Sequence, residues 1–510
     1  MSELSANPAP SDGATGRAGA ALAIIVCSQF MVGLDGTVVN IALPRIHAAL
    51  HFSATSLAWV VNGYTMAFAG LLLFGGRLGD VLGRRRMFMA GLGLFALASL
   101  AGGLATDSGW LIGARVVQGV GAALAAPNSL ALVTSNFAEG KQRDRAIAAV
   151  TASYAGSFVL GLIGGGMLTA WASWRWVLFI NVPIAVLVFI GAPLFVKETP
   201  RHPGRFDVPG AIATTGAMAC LVYGFLHAAS NGWDNAGTLG TLIAGAVLLA
   251  AFAAIEARAS RPIVPVRLLR SRNRSIGYAN LFVMSGPLFA VNFFVTQYLQ
   301  NNLGFSPLTA GLSFLPMAGA LMAMAGITTQ LLPRIGDRAV AVLGILMLIG
   351  GVFWLSRIGA DSSYAAGLLG PELLLGAGPG AVFTAYNGVI LHGVASEDSG
   401  SASSLLETMQ WSGGSLGLSV MVTVFGTAAR SAQLHHPASA AAGAGPLADY
   451  VLAHGMESVF TVSVAFMVLA LLLTVFGLRA RKPSTEQPRE DDAAVPATGE
   501  LRPVPVSGTD

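Results

Sequence analysis

The stretch AGAALAIIVCSQFMVGLDGTVVNIA at residues 18–42 decides the class of fold, because it is apolar for longer than a soluble helix requires. A hydrocarbon core about 30 Å thick needs about 20 apolar residues per helix, and this stretch has 25 residues with one charged side chain, Asp35. We expect it to remain as a membrane helix rather than be cleaved as a signal sequence. The segment before it carries Glu3 and Asp12 instead of a basic cluster, and the apolar run is too long.

The composition of the whole chain also indicates a membrane protein. Hydrophobic residues make up 54% of the 510 residues and charged residues 11%, whereas roughly 25% of a soluble domain is charged. So few charges cannot cover the surface of a soluble protein of this size, which excludes a multidomain soluble enzyme and a disordered chain. The two cysteines, Cys27 and Cys220, lie in apolar runs and predict neither a disulfide framework nor a metal site.

Thirteen further apolar runs follow the first one along the chain. We therefore predict an all-α polytopic membrane protein with fourteen transmembrane helices in a 6+2+6 arrangement. The predicted spans are 18–42, 54–75, 86–106, 109–134, 145–170, 174–195, 207–228, 236–257, 275–299, 308–332, 339–357, 364–391, 400–428 and 456–478.

Basic residues predict that both termini lie in the cytoplasm. If Arg17 is inside, the inner loops collect 22 arginines and lysines. The outer loops then hold only Arg45, Arg175, Arg357 and Arg430. Cytoplasmic loops of membrane proteins carry such an excess of positive charge.

The predicted domains follow from the spacing of the spans. We expect a six-helix bundle at 18–198, two inserted linker helices at 206–258 and a second six-helix bundle at 272–480. The tails 1–17 and 481–510 are rich in proline, serine, threonine and acidic residues, and we expect both to be disordered. Two related bundles around a central cavity form a transporter architecture in which substrates bind near the middle of the membrane.

Asp35 lies near the middle of the first predicted span, in LDGTVVNIALP. An ionised carboxylate at the centre of a bilayer costs at least ~2.5 kcal/mol on insertion scales, so we expect it to face a cavity. There a carboxyl group can take up and release a proton, which is our first interpretation. The alternative is a structural carboxylate satisfied by neighbouring hydroxyl or backbone groups.

Arg115 lies inside the fourth predicted span, in LIGARVVQGVGAA. Arginine stays protonated in proteins, so its side chain needs a carboxylate, carbonyl groups or water. We interpret it as a fixed positive charge that biases the protonation of a nearby carboxylate, and Gln118 lies one turn away. An arginine that extends its side chain toward the interface is the alternative.

The inner loop GGRLGDVLGRRRMF at residues 75–88 pairs Asp80 with three arginines at a helix junction. Its glycines permit close helix approach and a tight turn. Anchoring by positive charge on the inside is the simpler interpretation. It does not account for the spacing of Gly76, Asp80, Gly83 and Arg84. The short inner loop PRIGDRAVAV at 333–342 is a faint echo of this loop in the second bundle.

These motifs resemble those of the major facilitator superfamily. The inner-loop pattern G-x-L-x-D-x-x-G-R-[RK] of that superfamily is matched by Gly76, Leu78, Asp80, Gly83, Arg84 and Arg85. The fourth-span pattern R-x-x-Q-G-x-G-A-A is matched by Arg115, Gln118, Gly119, Gly121, Ala122 and Ala123.

Within the superfamily, the chain resembles the fourteen-span drug:proton antiporter-2 family, from about residue 20 to 480. The stretches SWRWVLFINVPI at 173–184 and QYLQNNLGFSPLTAGLSFLP at 297–316 match that family's sixth-span entry and second-half signature. Its first-span pattern L-D-x-T-[IV]-V-N-x-A-L-P is matched by Asp35, Thr37, Asn40, Ala42 and Pro44.

The resemblance implies export of hydrophobic, often cationic compounds in exchange for protons by alternating access. It implies that Asp35 and Arg115 take part in proton coupling and that the Asp80 loop, with Gly76, Gly83, Arg84 and Arg85, is a conformational latch. In the fifth span the family pattern G-P-x-x-G-G meets GLIGGG at 161–166. Gly161, Gly164 and Gly165 are kept and Leu162 replaces the proline, which weakens the case for antiport over symport or uniport.

Two further acids lie in predicted spans of the second half. Glu407 lies one turn before Trp411 and completes our candidate set for proton coupling, and Glu372 opens the segment PELLLGAGPG. A membrane glutamate beside an aromatic ring can bind a cationic substrate or relay a proton. For both residues, a position near the end of a span is the alternative.

Several polar and aromatic side chains in the spans are candidates for lining the substrate cavity, with helix packing as the alternative for each. They are Asn62, Tyr64, Phe68, Gln118, Tyr278, Asn292, Phe293, Gln297 and Trp411.

No enzyme is predicted, because the chain lacks H-E-x-x-H and the phosphate loop G-x-x-x-x-G-K-[ST]. A metabolite symporter or uniporter remains the main alternative function, and a membrane-embedded enzyme or sensor a remote one. We expect no cofactor, with the proton gradient as the energy source. The expected partners are a small hydrophobic or cationic substrate, protons and lipid, without nucleic acid, for a monomer in a bacterial plasma membrane.

Overall fold

The computed structural model describes residues 12–53, 55–137, 140–199, 201, 207–258, 266–359, 362–395, 398–435 and 444–479. Regular structure in these ranges is helical, and no strand occurs in them. The predicted disordered tails lie outside the described residues except for 12–17, where the first helix has already begun.

Seven helices form the first half of the molecule and make six membrane crossings, because α6 and α7 are one crossing interrupted at Ile180. They are α1 (Asp12–Leu50), α2 (Ala58–Leu82), α3 (Arg84–Gly103), α4 (Ser108–Asn136), α5 (Lys141–Trp171), α6 (Trp176–Phe179) and α7 (Asn181–Phe195).

Two long helices then precede the second half, which also makes six crossings. The linker helices are α8 (Val208–Asn231) and α9 (Ala236–Arg258). The second half consists of α10 (Val266–Leu269), α11 (Arg272–Gln297), α12 (Pro307–Ser313), α13 (Leu315–Leu355), α14 (Leu369–Leu391), α15 (Ser399–His435) and α16 (Ala444–Leu472).

The helices account for the fourteen predicted spans. In the described part of the chain, 13 helical segments are long and apolar enough to cross a membrane. The segment Pro307–Leu355 has 49 residues and turns at Gly336, where φ is 78° and ψ is 162°, so it crosses twice. Only glycine adopts such a backbone conformation readily. The predicted all-α polytopic fold is therefore confirmed.

Glycines let the helices within each half approach to backbone contact. A Cβ atom on Gly75 of α2 would overlap the Ala123 carbonyl oxygen of α4. A Cβ on Gly413 of α15 would likewise overlap the Phe282 carbonyl oxygen of α11. Close backbone approach at small residues is the usual basis of helix packing in membranes, where apolar side chains gain little by leaving lipid.

The two halves meet along their outer ends, given the cytoplasmic termini. Gln300, beyond the end of α11, donates from Nε2 to the Ile41 carbonyl oxygen of α1 at 2.9 Å. On the other side of the interface, Asn62 of α2 bonds to Ser415 and Ser419 of α15, at 3.1 Å each. These bonds close the space between the halves toward the outside.

Candidate functional site

Asp35 is the centre of a buried polar network in the first half. Its side chain is fully buried. Arg115 donates from Nη1 to Oδ2 at 2.6 Å, while Gln118 and Asn181 both donate to Oδ1, at 2.7 Å and 2.8 Å. Three donors and no acceptor face the carboxyl group in these bonds. This pattern suits an ionised carboxylate, which only accepts hydrogen bonds.

Arg115 has partners beyond the carboxylate of Asp35. Its Nη1 also donates to Gln118 Oε1 at 2.7 Å, and its Nε donates to the Val60 carbonyl oxygen at 3.0 Å. The guanidinium lies 4.5 Å from the centre of the Tyr64 ring. The Arg115 side chain is 2% exposed, and these contacts satisfy its charge within the bundle. They would remain if Asp35 were neutral.

The network joins five helices of the first half. Asp35 comes from α1, Val60 from α2, Arg115 and Gln118 from α4, and Asn181 from α7. Ser99 of α3 accepts from Gln118 Nε2 at 2.9 Å. Asp35 is therefore linked through hydrogen bonds to most of the first bundle.

A cavity of about 380 Å³ lies beside this network, between the two halves. Its wall is mostly apolar and draws on α1, α2, α4 and α5 of the first half and on α11, α13, α14 and α15 of the second. Arg115 is part of the wall, and among the described residues that line the cavity there is no aspartate or glutamate. Pockets for drug-sized molecules have volumes of about 300–1,000 Å³ and such apolar walls.

Aromatic rings form one side of the cavity. Trp411 packs edge-on against Phe68 and Phe289, with ring centres 5.1 Å and 5.6 Å apart, and lies 6.3 Å from the Tyr64 ring. Edge-to-face packing of this kind fixes the orientation of the rings. A planar apolar molecule in the cavity would meet a rigid aromatic surface.

Two of the three fifth-span glycines contact α1, and the next glycine, Gly166, contacts the opposite half. A Cβ on Gly161 would overlap Thr37 Oγ1, and one on Gly165 would lie 2.9 Å from the Val38 carbonyl oxygen. Gly164 has open space around it. A Cβ on Gly166 would lie 2.7 Å from the Pro307 carbonyl oxygen of α12. Leu162, at the position of the expected proline, lines the cavity in an unbroken α5.

The inner loop after α2 is held within the first half. Arg84 donates to Asp80 Oδ1 from Nε and Nη2, at 3.1 Å and 3.0 Å. Gly83 has φ 110°, which favours glycine. The backbone N–H of Arg85 donates to Glu198 Oε1 at 2.9 Å, so a carboxylate caps α3 from the end of α7. A carboxylate at a helix N-terminus is stabilised by the helix dipole.

Sequence comparisons identify the family to which this arrangement belongs. The family model described as Major Facilitator Superfamily matches residues 25–418. The chain belongs to the major facilitator superfamily. It is a multi-pass bacterial membrane transporter of that superfamily and not an enzyme.

Superfamily members concerned with antibiotics are among its relatives. The chain is 37% identical to the puromycin resistance protein pur8 of Streptomyces alboniger, over 89% of each chain. It is 38% identical to the cephamycin export protein CmcT of Amycolatopsis lactamdurans, over 81% of this chain and 86% of that one. The predicted membership of the fourteen-span drug-efflux group is thus confirmed.

The fold also matches solved superfamily structures. A bacterial homologue of the human lysosomal transporter Spinster, in an inward-facing and unoccupied conformation, superimposes with a TM-score of 0.65 at 15% identity. The match covers 90% of this chain and 97% of that one.

Of the side chains predicted to line the cavity, three do so, namely Tyr64, Asn292 and Trp411. The others lie elsewhere in this conformation because each has a different partner. Asn62 bonds to Ser419 of the opposite half, and Gln118 donates to Asp35. Phe68 packs against Trp411. Phe293 packs on Phe294, Gln297 bonds to the Phe293 carbonyl oxygen, and the Tyr278 hydroxyl bonds to the Ala402 carbonyl oxygen.

The acids of the second half stay apart from the Asp35 network. Glu407 is half-buried on α15 and has neither an ion pair nor a hydrogen bond within the described residues. Glu372 is buried on α14 and contacts Tyr364. The role predicted for Glu407 in proton coupling stays a prediction.

Asn181 and Ser99 belong to the Asp35 network but were not among the predicted site residues. Asn181 stands in the matched segment FINVPI, where it is the one polar side chain in an apolar run. That isolation is a usable signal, because an amide in a membrane span needs a polar partner. Ser99 gave no such signal, since serine bonds readily to its own helix.

We expect Asn181→Ala to slow transport about tenfold. The lost bond is one to a charged group, worth about 1.5–3 kcal/mol, and ~1.4 kcal/mol corresponds to a factor of ten. Initial rates in inverted vesicles measure the effect. Asn280→Ala is a matched control, because the amide of Asn280 is also buried and donates only within its own helix. Equal losses in both variants would contradict a specific role for Asn181.

We expect Gly311→Val to keep the outer ends of the two halves apart and stop transport. A Cβ on Gly311 of α12 would overlap the Leu162 carbonyl oxygen of α5, and backbone cannot move aside as a flexible side chain does. Gly319→Val, on α13 with open space at its Cβ, is the control. A membrane-impermeant thiol reagent applied from outside should label a cysteine at Leu162 faster in the Gly311 variant. Unchanged labelling would refute the contact as a closure element.

Proposed function

We propose that the protein exports hydrophobic small molecules in exchange for protons by alternating access, with Asp35 as the proton site. The observation that carries the proposal is the buried Asp35–Arg115 pair at the wall of a drug-sized cavity between the two halves. An intramembrane ion pair beside such a cavity is costly to maintain and marks a substrate or ion pathway.

The hydrogen bonds around Asp35 suggest how a proton and a substrate compete. With three donors on it, Asp35 is ionised in this conformation, whose outer ends are closed. A proton on Oδ2 would take the place of the hydrogen that Arg115 supplies. Arg115, already part of the cavity wall, would then turn toward Gln118 and the cavity. Protonation therefore changes the charge that a substrate meets.

The cavity wall supports a substrate class. Its aromatic rings and aliphatic side chains favour a hydrophobic molecule, and Asn40, Asn292 and Gln410 offer hydrogen bonds to a few polar groups. Antibiotics named for the relatives, such as puromycin and lincomycin, are the first compounds to test. Ethidium tests whether a permanent cation is accepted by this wall, whose described lining has no carboxylate and where aromatic rings such as Trp411 can bind a cation.

The driving force is the proton gradient in this proposal. Each charge that moves across 100 mV yields ~2.3 kcal/mol. Since ~1.4 kcal/mol corresponds to a factor of ten, one proton per substrate sustains a concentration ratio of roughly fortyfold. No cofactor takes part.

Inverted vesicles that contain the protein test the proposal. Energised vesicles should accumulate puromycin or lincomycin, and a protonophore should abolish the accumulation. Vesicles without the protein provide the background. Accumulation that survives the protonophore would contradict proton coupling. Loss of substrate from energised vesicles would instead identify a symporter that imports.

A further inference from the structure

Glu372 is a second buried carboxyl group, on the opposite half from Asp35. Its side chain is 1% exposed and lies in the first turn of α14. Leu375 and Pro379, further along the same helix toward the cytoplasm, line the cavity. Glu372 therefore lies about one turn beyond the outer end of the substrate cavity.

The hydrogen bonds around Glu372 are compatible with a proton on its carboxyl group. The Tyr364 hydroxyl donates to the Ser313 carbonyl oxygen at 2.7 Å and lies 3.0 Å from Glu372 Oε2. A hydroxyl has one hydrogen, and a carbonyl oxygen can only accept. If that hydrogen lies in the shorter bond, the contact with Glu372 is a hydrogen bond only when the carboxyl group donates. Glu372 Oε1 is buried and has no hydrogen-bond partner among the described residues.

Among the described residues, no charged side chain forms an ion pair with Glu372. Residues 307–333 and 340–356, which include α12 and the outer parts of α13, contain no charged side chain, and neither does the part of α5 at 146–171. The helices α11 and α15 also pack on α14; α11 carries Arg272 and Arg274 at its inner end, and α15 carries Glu407 near its inner end and Arg430 at its outer end. Arg357, at the outer end of α13, stacks over the Phe353 ring. Tyr364 is the titratable group in contact with Glu372 within the described residues. A buried carboxylate without a positive partner is strongly disfavoured.

The hydrogen bond from Tyr364 to Ser313 connects Glu372 to the contact between the halves. Ser313 is the last residue of α12. Two residues earlier, Gly311 packs on the Leu162 carbonyl oxygen of α5, and Pro307 at the start of α12 packs on Gly166. Separation of α5 from α12, which opening to the outside requires, therefore changes the packing of the helix whose last residue accepts the Tyr364 hydrogen bond.

We propose that Glu372 is a second proton-binding site of the transport cycle, loaded from the outside, whose protonation is required for the outer ends of the two halves to close. The inference rests on the proposed function, since it concerns the return step of the same cycle. External protons bind Glu372 while the halves are apart, and the neutral acid is then buried against Tyr364 as the halves meet.

The sign of the pH dependence follows from this order of events. The closed conformation holds a proton on Glu372 that the open one can lose, so low external pH favours closure. As external pH rises, the population of the open conformation relative to the closed one should increase by up to about tenfold per pH unit for one proton.

Thiol labelling from outside tests the proposal in the full-length protein. Leu162→Cys is made in a background with Cys27 and Cys220 replaced by alanine. The thiol then stands at a position where the native leucine is 2% exposed with the outer ends closed. A membrane-impermeant maleimide should label it faster as external pH rises. In Glu372→Gln, which imitates the neutral acid, labelling should be slow at every pH, whereas Glu372→Asp should keep the dependence.

Controls separate this inference from the proposed function. Ser53→Cys, on the exposed outer loop after α1, corrects for the pH dependence of the maleimide reaction itself. A Glu372→Gln variant that labels with the parent's pH dependence overturns the proposal. If the dependence then disappears in Asp35→Asn instead, Asp35 alone controls closure and proton-coupled export through Asp35 still stands. An unfolding temperature in detergent close to that of the parent shows that Glu372→Gln has folded.

Discussion

Vesicles that contain Asp35→Asn should lose the uphill substrate gradient completely while still binding and exchanging substrate. One proton at 100 mV sustains a ratio of roughly fortyfold, and we expect the ratio in the variant to fall to one. Asparagine keeps the shape of Asp35 and an oxygen that can accept from Arg115, but it cannot carry a proton. Arg115 keeps its bonds to Gln118 Oε1 and the Val60 carbonyl oxygen, so the variant should fold with a lower unfolding temperature and lose energy coupling.

Two measurements on the same vesicles separate coupling from binding. Accumulation of puromycin or lincomycin in energised vesicles reports coupling, and exchange of labelled for unlabelled substrate without a gradient reports binding and conformational change. Exchange near the parent rate with no accumulation is the expected result. A variant that still accumulates substrate would exclude Asp35 as the proton site and direct attention to Glu407.

Arg115→Met should destabilise the protein more than any other single change in the network. Loss of one partner of a buried ion pair costs about 3–5 kcal/mol, because the other charge remains buried without compensation. Asp35 would keep the amide donors of Gln118 and Asn181, but these carry no positive charge. We expect a large fall in the thermal unfolding temperature in detergent, together with loss of export.

The double variant Asp35→Asn/Arg115→Met provides the control for this prediction. It removes both charges, so it should unfold at a higher temperature than Arg115→Met alone, although it cannot export. Contacting residues show such non-additive effects. Additive losses in the two single variants would mean that the 2.6 Å contact contributes little to stability.

Much of the fold followed from the sequence because membrane spans are long and continuous. The apolar runs and the basic inner loops predicted the fourteen crossings and their orientation. Hydropathy did not predict two features: the interruption of the sixth crossing at Ile180 and the turn at Gly336 within one helical segment. They depend on backbone geometry, which hydropathy does not report.

The site was only partly predictable, for a related reason. Asp35 and Arg115 were found because a charge inside a span is rare and costly. Their partners were missed or misassigned because a polar side chain can satisfy its neighbours or a substrate equally well. Gln118 was expected at the cavity and bonds to Asp35 instead, while Asn181 was not expected at all.

The inner loop after α2 shows the same limit. Its glycines and the Asp80–Arg84 pair are local in sequence and were predicted together. Glu198, which caps α3 from more than 100 residues away, could not be inferred from local spacing. Glu372 was noticed as a buried acid, but its connection to α12 through Tyr364 required the three-dimensional structure.

The most direct test of proton exchange through Asp35 is proton movement driven by a substrate gradient. Proteoliposomes that contain a pH-sensitive dye are given a gradient of the compound that the vesicle screen shows to be exported best, with no pH gradient imposed. Substrate that moves down its gradient should drive protons in the opposite direction in the parent protein. In Asp35→Asn we expect substrate exchange without any proton signal. Proton movement at the parent ratio in Asp35→Asn would contradict exchange through Asp35.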